Sequence, residues 1–164
     1  MRFLEPSEFL PKVEAIFSDL KDKIKMALPN ADVEHIGSSA IKGAISKGDL
    51  DVLVRVLPPN FEIAISKIKE LGFAEKSGTL RTEQLCMLVT DVYNWDVAVQ
   101  LIAKNSEFED FVSFRDRLND DPGLVLAYNQ LKLSSRELSP ENYRQKKSAF
   151  IEMVLRNENS NHKK

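Results

Sequence analysis

Between Glu34 and Val54 the chain reads EHIGSSAIKGAISKGDLDVLV, and this stretch restricts the fold more than any other. DVEHI ahead of Gly37 is short and β-like, while DLDVLVRV (49–56) has the branched apolar content and period-2 alternation of a strand. Three glycines and several small side chains fill 37–48, which predicts a loop holding at most one helical turn. Alternation puts Asp49 and Asp51 on one face, about 6.5–7 Å apart at Cα, with Leu50 and Val52 facing the other way. Two carboxylates held on one face repel unless a cation lies between them. The plain alternative is a solvated strand edge. Magnesium, or manganese in its place, suits such oxygen ligands and commonly uses one or two carboxylates plus substrate phosphates.

Gly37-Ser38 supplies the complement. Glycine lets a phosphate approach the backbone, Ser38 adds a hydroxyl beside exposed N–H groups, and Ser39 could assist. A third acidic ligand is expected from a neighbouring strand. In NWDVAVQL, Tyr93, Trp95, Val97 and Val99 alternate with Asn94, Asp96, Ala98 and Gln100, so Asp96 on the polar face is the candidate. Lys47 could neutralise phosphate charge, with an ordinary surface lysine as the alternative. His35 could contact a nucleotide or shuttle a proton, although a histidine at a strand end is more often a hydrogen-bonded structural residue.

Around this stretch the periodicities predict helices and further strands. Phe9, Val13, Ile16, Phe17, Leu20, Ile24 and Leu28 recur at helical spacing after Pro6-Ser7, with Ser7 as the expected cap. Pro58-Pro59 ends the Asp-bearing strand, NFEIAISKIKEL follows as a helix, and Gly72 stops it. Extended segments are expected at roughly 80–90 and 92–102, with Asp91 through Asn94 as the turn between them, then helices from Ser106 to Leu118, after Pro122 and from about Pro140. The sum is an α+β architecture: a small mixed sheet flanked by helices, with a C-terminal helical subregion. One domain is expected over 1–158, its core at about 1–104 and its C-terminal helices at about 105–158, with 159–164 as a polar tail.

A net charge of −2 gives no bulk attraction to nucleic acid or to an anionic membrane. No apolar run reaches membrane-spanning length and no leader is legible, so the cytoplasm is the expected location. The single cysteine, Cys86, lies in the apolar run LCMLV and reads as a small buried hydrophobe. Lys132 and Lys147 fall on the C-terminal helices, where cleft-facing and solvated positions are both open. Arg81 could reach a triphosphate, and Arg115 with Asp116 reads as a helix-borne pair.

The aspartates stand eleven and thirteen residues beyond Ser38. This spacing resembles the signature of the polymerase-β-like nucleotidyltransferases, and more narrowly that of the GrpB family (UPF0157) within them. His35, Gly37, Ser38, Gly43, Lys47 and Asp51 align with the family pattern without a gap. FRDRLNDDP (114–122), AYNQLK (127–132) and YRQKKSAFI (143–151) resemble its second block. Lys42 stands where the family usually has proline, and Asp49 where many members carry an apolar residue.

The resemblance implies an enzyme that moves a nucleotidyl group from a nucleoside triphosphate to an unidentified acceptor. In that scheme Asp49, Asp51 and Asp96 hold the metal, and Gly37, Ser38, Ser39, Lys47 and His35 hold the nucleotide. The alternative is a catalytically degenerate nucleotide-binding module acting through a partner. A small-molecule adenylyltransferase of the antibiotic-resistance type shares the glycine-serine and aspartate elements but lacks the second block.

Overall fold

The computed structural model describes residues 2–162, with side-chain environments through residue 157. The first helix, α1 (Pro6–Ala27), buries Phe9, Val13, Ile16, Leu20 and Ile24, a stripe recurring every three or four residues. Each such side chain contributes roughly 1.5–3 kcal/mol by leaving water. Ser7 does not cap it. Glu5 is the N-cap, and its N–H donates to Glu8 Oε2 at 2.7 Å, because the helix begins at Pro6, two residues earlier than a Ser7 cap would have it.

Strand β1 (Asp32–Ile36) pairs antiparallel with β2 (Leu50–Val56), and helix α2 (Phe61–Glu70) follows β2. The segment expected to be extended over 80–90 pairs only at β4 (Leu85–Thr90), preceded by a two-residue β3 (Ala74–Glu75). The strand expected over 92–102 is β5 (Val97–Ala103), and the turn expected at Asp91–Asn94 is present, with Asn94 N–H donating to Asp91 O at 3.0 Å and Asn94 at φ 52°. Sheet order is β1-β2-β5-β4-β3, with β2 and β5 parallel and the other neighbours antiparallel, so the sheet is mixed as expected.

One face of the sheet, through Leu50, Val52, Val54, Val97, Val99 and Leu101, packs on α1 and α2. Cys86 is buried there. The other face carries Ile36, Leu53, Leu85 and Ile102. The chain then enters a 3-10 turn (Glu107–Glu109) and helix α3 (Asp110–Asn119), so the helix expected from Ser106 starts tighter than an α-helix. Helices α4 (Pro122–Ser134) and α5 (Pro140–His162) complete the subregion. The side chains of the expected polar tail at 159–164 lie outside those described. No described helix is long and apolar enough to cross a membrane.

The helical subregion has a core of its own, and it includes part of the glycine loop. Ile41 and Ala44 are buried among Phe114, Leu118, Val125, Tyr128, Phe150 and Val154. Polar bonds fix the same junction. Asn119 Oδ1 accepts from Lys42 N–H at 2.8 Å, Asn129 Oδ1 accepts from Ile45 N–H at 2.9 Å, and Asn129 Nδ2 donates to Gly43 O at 3.0 Å. Loop 37–48 is thus clamped between sheet and helices. Its conformation rests on side chains some eighty residues away.

Candidate active site

Asp51 is the centre of the candidate site. It stands opposite Ile36 in the β1 register and opposite Ala98 in the β5 register, on the sheet face turned away from α1. Gly37 follows Ile36 with φ 77° and ψ −174°, a region open essentially only to glycine. A Cβ built on Gly37 would lie 2.6 Å from Asp51 Oδ2. The carboxylate therefore occupies the space that any other residue would fill.

Burial pushes the Asp51 carboxyl up to about 7, Asp49 adds to the rise, and Asp96 does so more weakly; Lys147 and Lys47 oppose it. All four act through space, none through a hydrogen bond. A half-buried carboxylate with acidic neighbours and no bonded cation is where a divalent ion would gain most. Asp96 is exposed and precedes β5, where its carbonyl accepts from Leu50 N–H at 2.9 Å. That bond, with Leu50 opposite Val97, carries the parallel register outward and sets Asp96 beside Asp49. Trp95 Nε1 donates to Gly48 O at 2.6 Å and ties the same corner.

Among the described residues no three His, Cys, Asp or Glu side chains are gathered into a ready-made ligand group. The donor set nevertheless fits magnesium, which takes one or two carboxylates and leaves its remaining positions to water and phosphate oxygens.

Ser38 opens a 3-10 turn (Ser38–Ala40), and its hydroxyl points into the helical subregion. Lys132 Nζ donates to Ser38 Oγ at 2.7 Å and also bonds Ile45 O, while Tyr128 OH lies 3.3 Å from Ser38 Oγ. The ammonium sits 4.1 Å from the Tyr128 ring centroid. Lys132 is only 1% exposed. Burial pulls it down to about 7, and Lys147 and Lys47 push the same way against Asp49. For Lys147 burial also lowers the value, but Tyr128, Tyr143, Asp51 and Asp49 together hold it above the usual lysine range. Three lysines from one loop and two helices thus share the electrostatic environment of the carboxylates.

The sequence left Lys132 and Lys147 open between cleft and solvent, yet a signal was present. Val125, Tyr128 and Lys132 form the buried stripe of α4, and Tyr143, Lys147, Phe150 and Val154 follow one another at helical spacing on α5. A lysine occupying a stripe position is the anomaly.

Not every candidate joins the cluster. His35 stands opposite Val52, on the α1 face, where its ring lies 5.3 Å from that of Phe17. Its Nε2 bonds Ser39 Oγ at 2.8 Å, so His35 engages the turn through the Ser39 hydroxyl. Arg81 is held at the far edge of the sheet by Glu75, at 2.8 Å, and does not approach the carboxylates. Arg115 pairs with Asp116 as expected and also bonds Glu34 and the His35 carbonyl.

The sequence model described as GrpB protein matches residues 7–157. A UPF0157 protein of Vibrio cholerae is 49% identical over 155 residues, covering 94% of this chain and 82% of its own length. Among solved structures, the conserved protein GrpB from Enterococcus faecalis superposes with a TM-score of 0.77 at 20% identity, over 99% of this chain and 100% of that one. The RNA terminal uridylyl transferase Cid1 superposes with a TM-score of 0.55 at 18% identity, over 77% of this chain and 40% of its own. The chain belongs to the GrpB family, and its α+β architecture is the polymerase-β-like nucleotidyltransferase fold.

Proposed function

We propose that this protein transfers a nucleotidyl group from a nucleoside triphosphate to a nucleophilic acceptor, a hydroxyl foremost. The observation that carries the reading is Asp51: a carboxylate packed against Gly37, its pKa raised by burial first and then by Asp49 and Asp96, and facing lysines that do not bond it. Cid1 supports the reading as a fold neighbour with uridylyl transferase activity that has been seen with magnesium nucleotides.

Asp49 and Asp51, with Asp96 as the outer member, are the residues that would hold magnesium. The ion would neutralise charge on the triphosphate and polarise the reacting phosphorus. Gly37 leaves room for the Asp51 carboxylate beside the turn, and the Ser38 hydroxyl, which accepts from Lys132 Nζ, keeps its own proton to donate to the triphosphate. Lys132, Lys147 and Lys47 balance the negative charge carried in by the triphosphate. The acceptor oxygen bonds the α-phosphorus, the bond from that phosphorus to the bridging oxygen breaks, and pyrophosphate leaves. Asp96, the most exposed of the three carboxylates, takes the acceptor proton.

The test is transfer of label. Protein is incubated with magnesium, α-phosphate-labelled nucleotides and a cell extract, and the products are scanned for a labelled acceptor. Label transfer that disappears in Asp51→Asn is the expected result. Magnesium-dependent triphosphate binding that is unchanged in Asp51→Asn would remove the metal assignment. A second reading, a nucleotide-binding module acting through a partner, is favoured by one observation: among the described residues the carboxylates are not gathered into a three-ligand group. Tight nucleotide binding with no label transferred in any extract selects it.

A further inference from the structure

The turn that follows Gly37 carries two consecutive hydroxyls pointing in opposite directions. Ser38 Oγ faces forward, to Lys132 at 2.7 Å and Tyr128 at 3.3 Å. Ser39 Oγ faces backward, to His35 Nε2 at 2.8 Å. Ser39 is buried, at 4% exposure, and His35 is the side-chain partner its hydroxyl has there. A buried hydroxyl without a partner is costly, so this bond selects the turn's conformation as well as decorating it.

His35 is itself held on two sides. Its ring lies beside Phe17 of α1, and its carbonyl accepts from Arg115 Nη1 of α3 at 2.8 Å. Arg115 also reaches Glu34 at 3.1 Å, so α3 grips the end of β1 directly before Gly37. Burial, with the Arg115 guanidinium adding to it, pushes the imidazole down to about 4. The ring is therefore neutral at physiological pH. It also lies on the opposite face of the sheet from Asp51, and both facts argue against a proton shuttle.

We infer that His35 is a positioning residue for the phosphate-binding turn: through Ser39 it fixes the 3-10 turn that aims Ser38 at Lys132 and at the incoming triphosphate. The nucleotide half of this inference rests on the function proposed above; the turn half does not. The amides of Ala40 and Ile41, which donate to Gly37 O and Ser38 O at 3.1 Å each, report the turn directly.

The experiment uses the full chain in two arms. His35→Phe keeps an aromatic ring against Phe17 but removes the bond to Ser39, whereas His35→Gln returns a polar atom near the position of Nε2. Amide exchange at Ala40 and Ile41 in the metal-free protein should accelerate about tenfold in His35→Phe and return toward wild type in His35→Gln. Affinity for magnesium-ATP, measured by calorimetry, should weaken roughly five- to tenfold in the first variant and recover in the second. Its pH profile should not change. Ser39→Ala, which removes the hydroxyl, should show the same exchange, and combining it with His35→Phe should add little.

Unchanged exchange in His35→Phe would overturn the inference. So would accelerated exchange with full magnesium-ATP affinity. If the turn loosens as expected while the wild-type protein binds no nucleotide at all, the proposed function falls and the positioning of the turn by His35 stands.

Discussion

The outer face of β2 carries charge at both ends, and the two ends are treated in opposite ways. At the C-terminal end Arg55 is saturated: it pairs with Glu34 at 2.5 Å, Glu109 at 3.3 Å and Asp32 at 3.7 Å. Glu34 in turn holds Arg115 at 3.1 Å, and Lys104 reaches Asp32 at 3.4 Å. At the N-terminal end Asp51 has acidic neighbours and, among the described residues, no bonded cation. The first arrangement joins α3 to the sheet edge. The second costs local stability while the carboxylate is ionised, and under the proposed function a divalent ion would offset that cost.

The largest expected effect comes from removing the charge at the unpaired end. Asp51→Asn should lower label transfer by roughly 10²–10³-fold or more. In the same variant the metal-free protein should gain about 1 kcal/mol, read as a Tm rise of roughly 2–4 °C at pH 8. A lower Tm would mean that Asp51 is stabilised by its surroundings, and the contrast between the two ends would collapse.

Gly37→Ala comes next. A Cβ there meets Asp51 Oδ2 at 2.6 Å and forces a non-glycine residue into φ 77°. The expected loss is about 1–3 kcal/mol in denaturant unfolding, together with loss of magnesium-nucleotide binding.

The pH dependence sharpens the comparison further. The folded-state value of Asp51 is raised from 3.8 to about 7, so the folded protein holds a proton that the unfolded chain releases. Its contribution to stability is full below about pH 4 and is lost as pH rises through 7. His35, lowered from 6.5 to about 4, contributes the opposite slope over nearly the same interval. The quantity to measure is therefore the stability of wild type minus that of Asp51→Asn, which should fall between pH 4 and 7. Lys132, lowered from 10.5 to about 7, makes the folded protein release a proton that the unfolded chain keeps. Wild type minus Lys132→Met should accordingly rise between pH 7 and 10.5. Flat difference curves would place both groups in water.

The smallest effect is expected at the saturated end. Glu34→Gln leaves Arg55 its other two carboxylates and Arg115 its bond to Asp116. A loss of about 1 kcal/mol, diminishing at high salt, should appear in thermal unfolding. A loss as large as that of Gly37→Ala would show the ion pairs to be a keystone of the fold.

Much of the architecture was legible because its signals are local. The stripe of α1, the alternation of β2 and the Pro-Pro break that ends it are patterns within a few turns of chain. Gly37, Ser38, Asp49 and Asp51 were singled out for the same reason, since residue types and spacing at two neighbouring strand ends are a local signal, whereas the path of the loop between them was not. Strand limits at 80–102 were less so: pairing starts only at Leu85 and Val97, where partners across the sheet are available. Ser7 failed as a cap because Glu5, two residues earlier, forms the pair with Glu8. His35 was credible as a nucleotide contact from its place beside Gly37, and only the β1 register turned it toward α1.

The sequence alone determined the element order, the α+β class, the strand that presents Asp49 and Asp51, and the glycine that makes room beside them. These depend on periodicity and on backbone sterics, which act between near neighbours. Tertiary structure decided what surrounds the carboxylates: Lys132 and Lys147 from the C-terminal helices, Tyr128 over Ser38, and the two asparagines that clamp the loop. Burial and through-space charge set the protonation of Asp51 and Lys132. Both quantities belong to the packed arrangement, and no stretch of sequence carries them by itself.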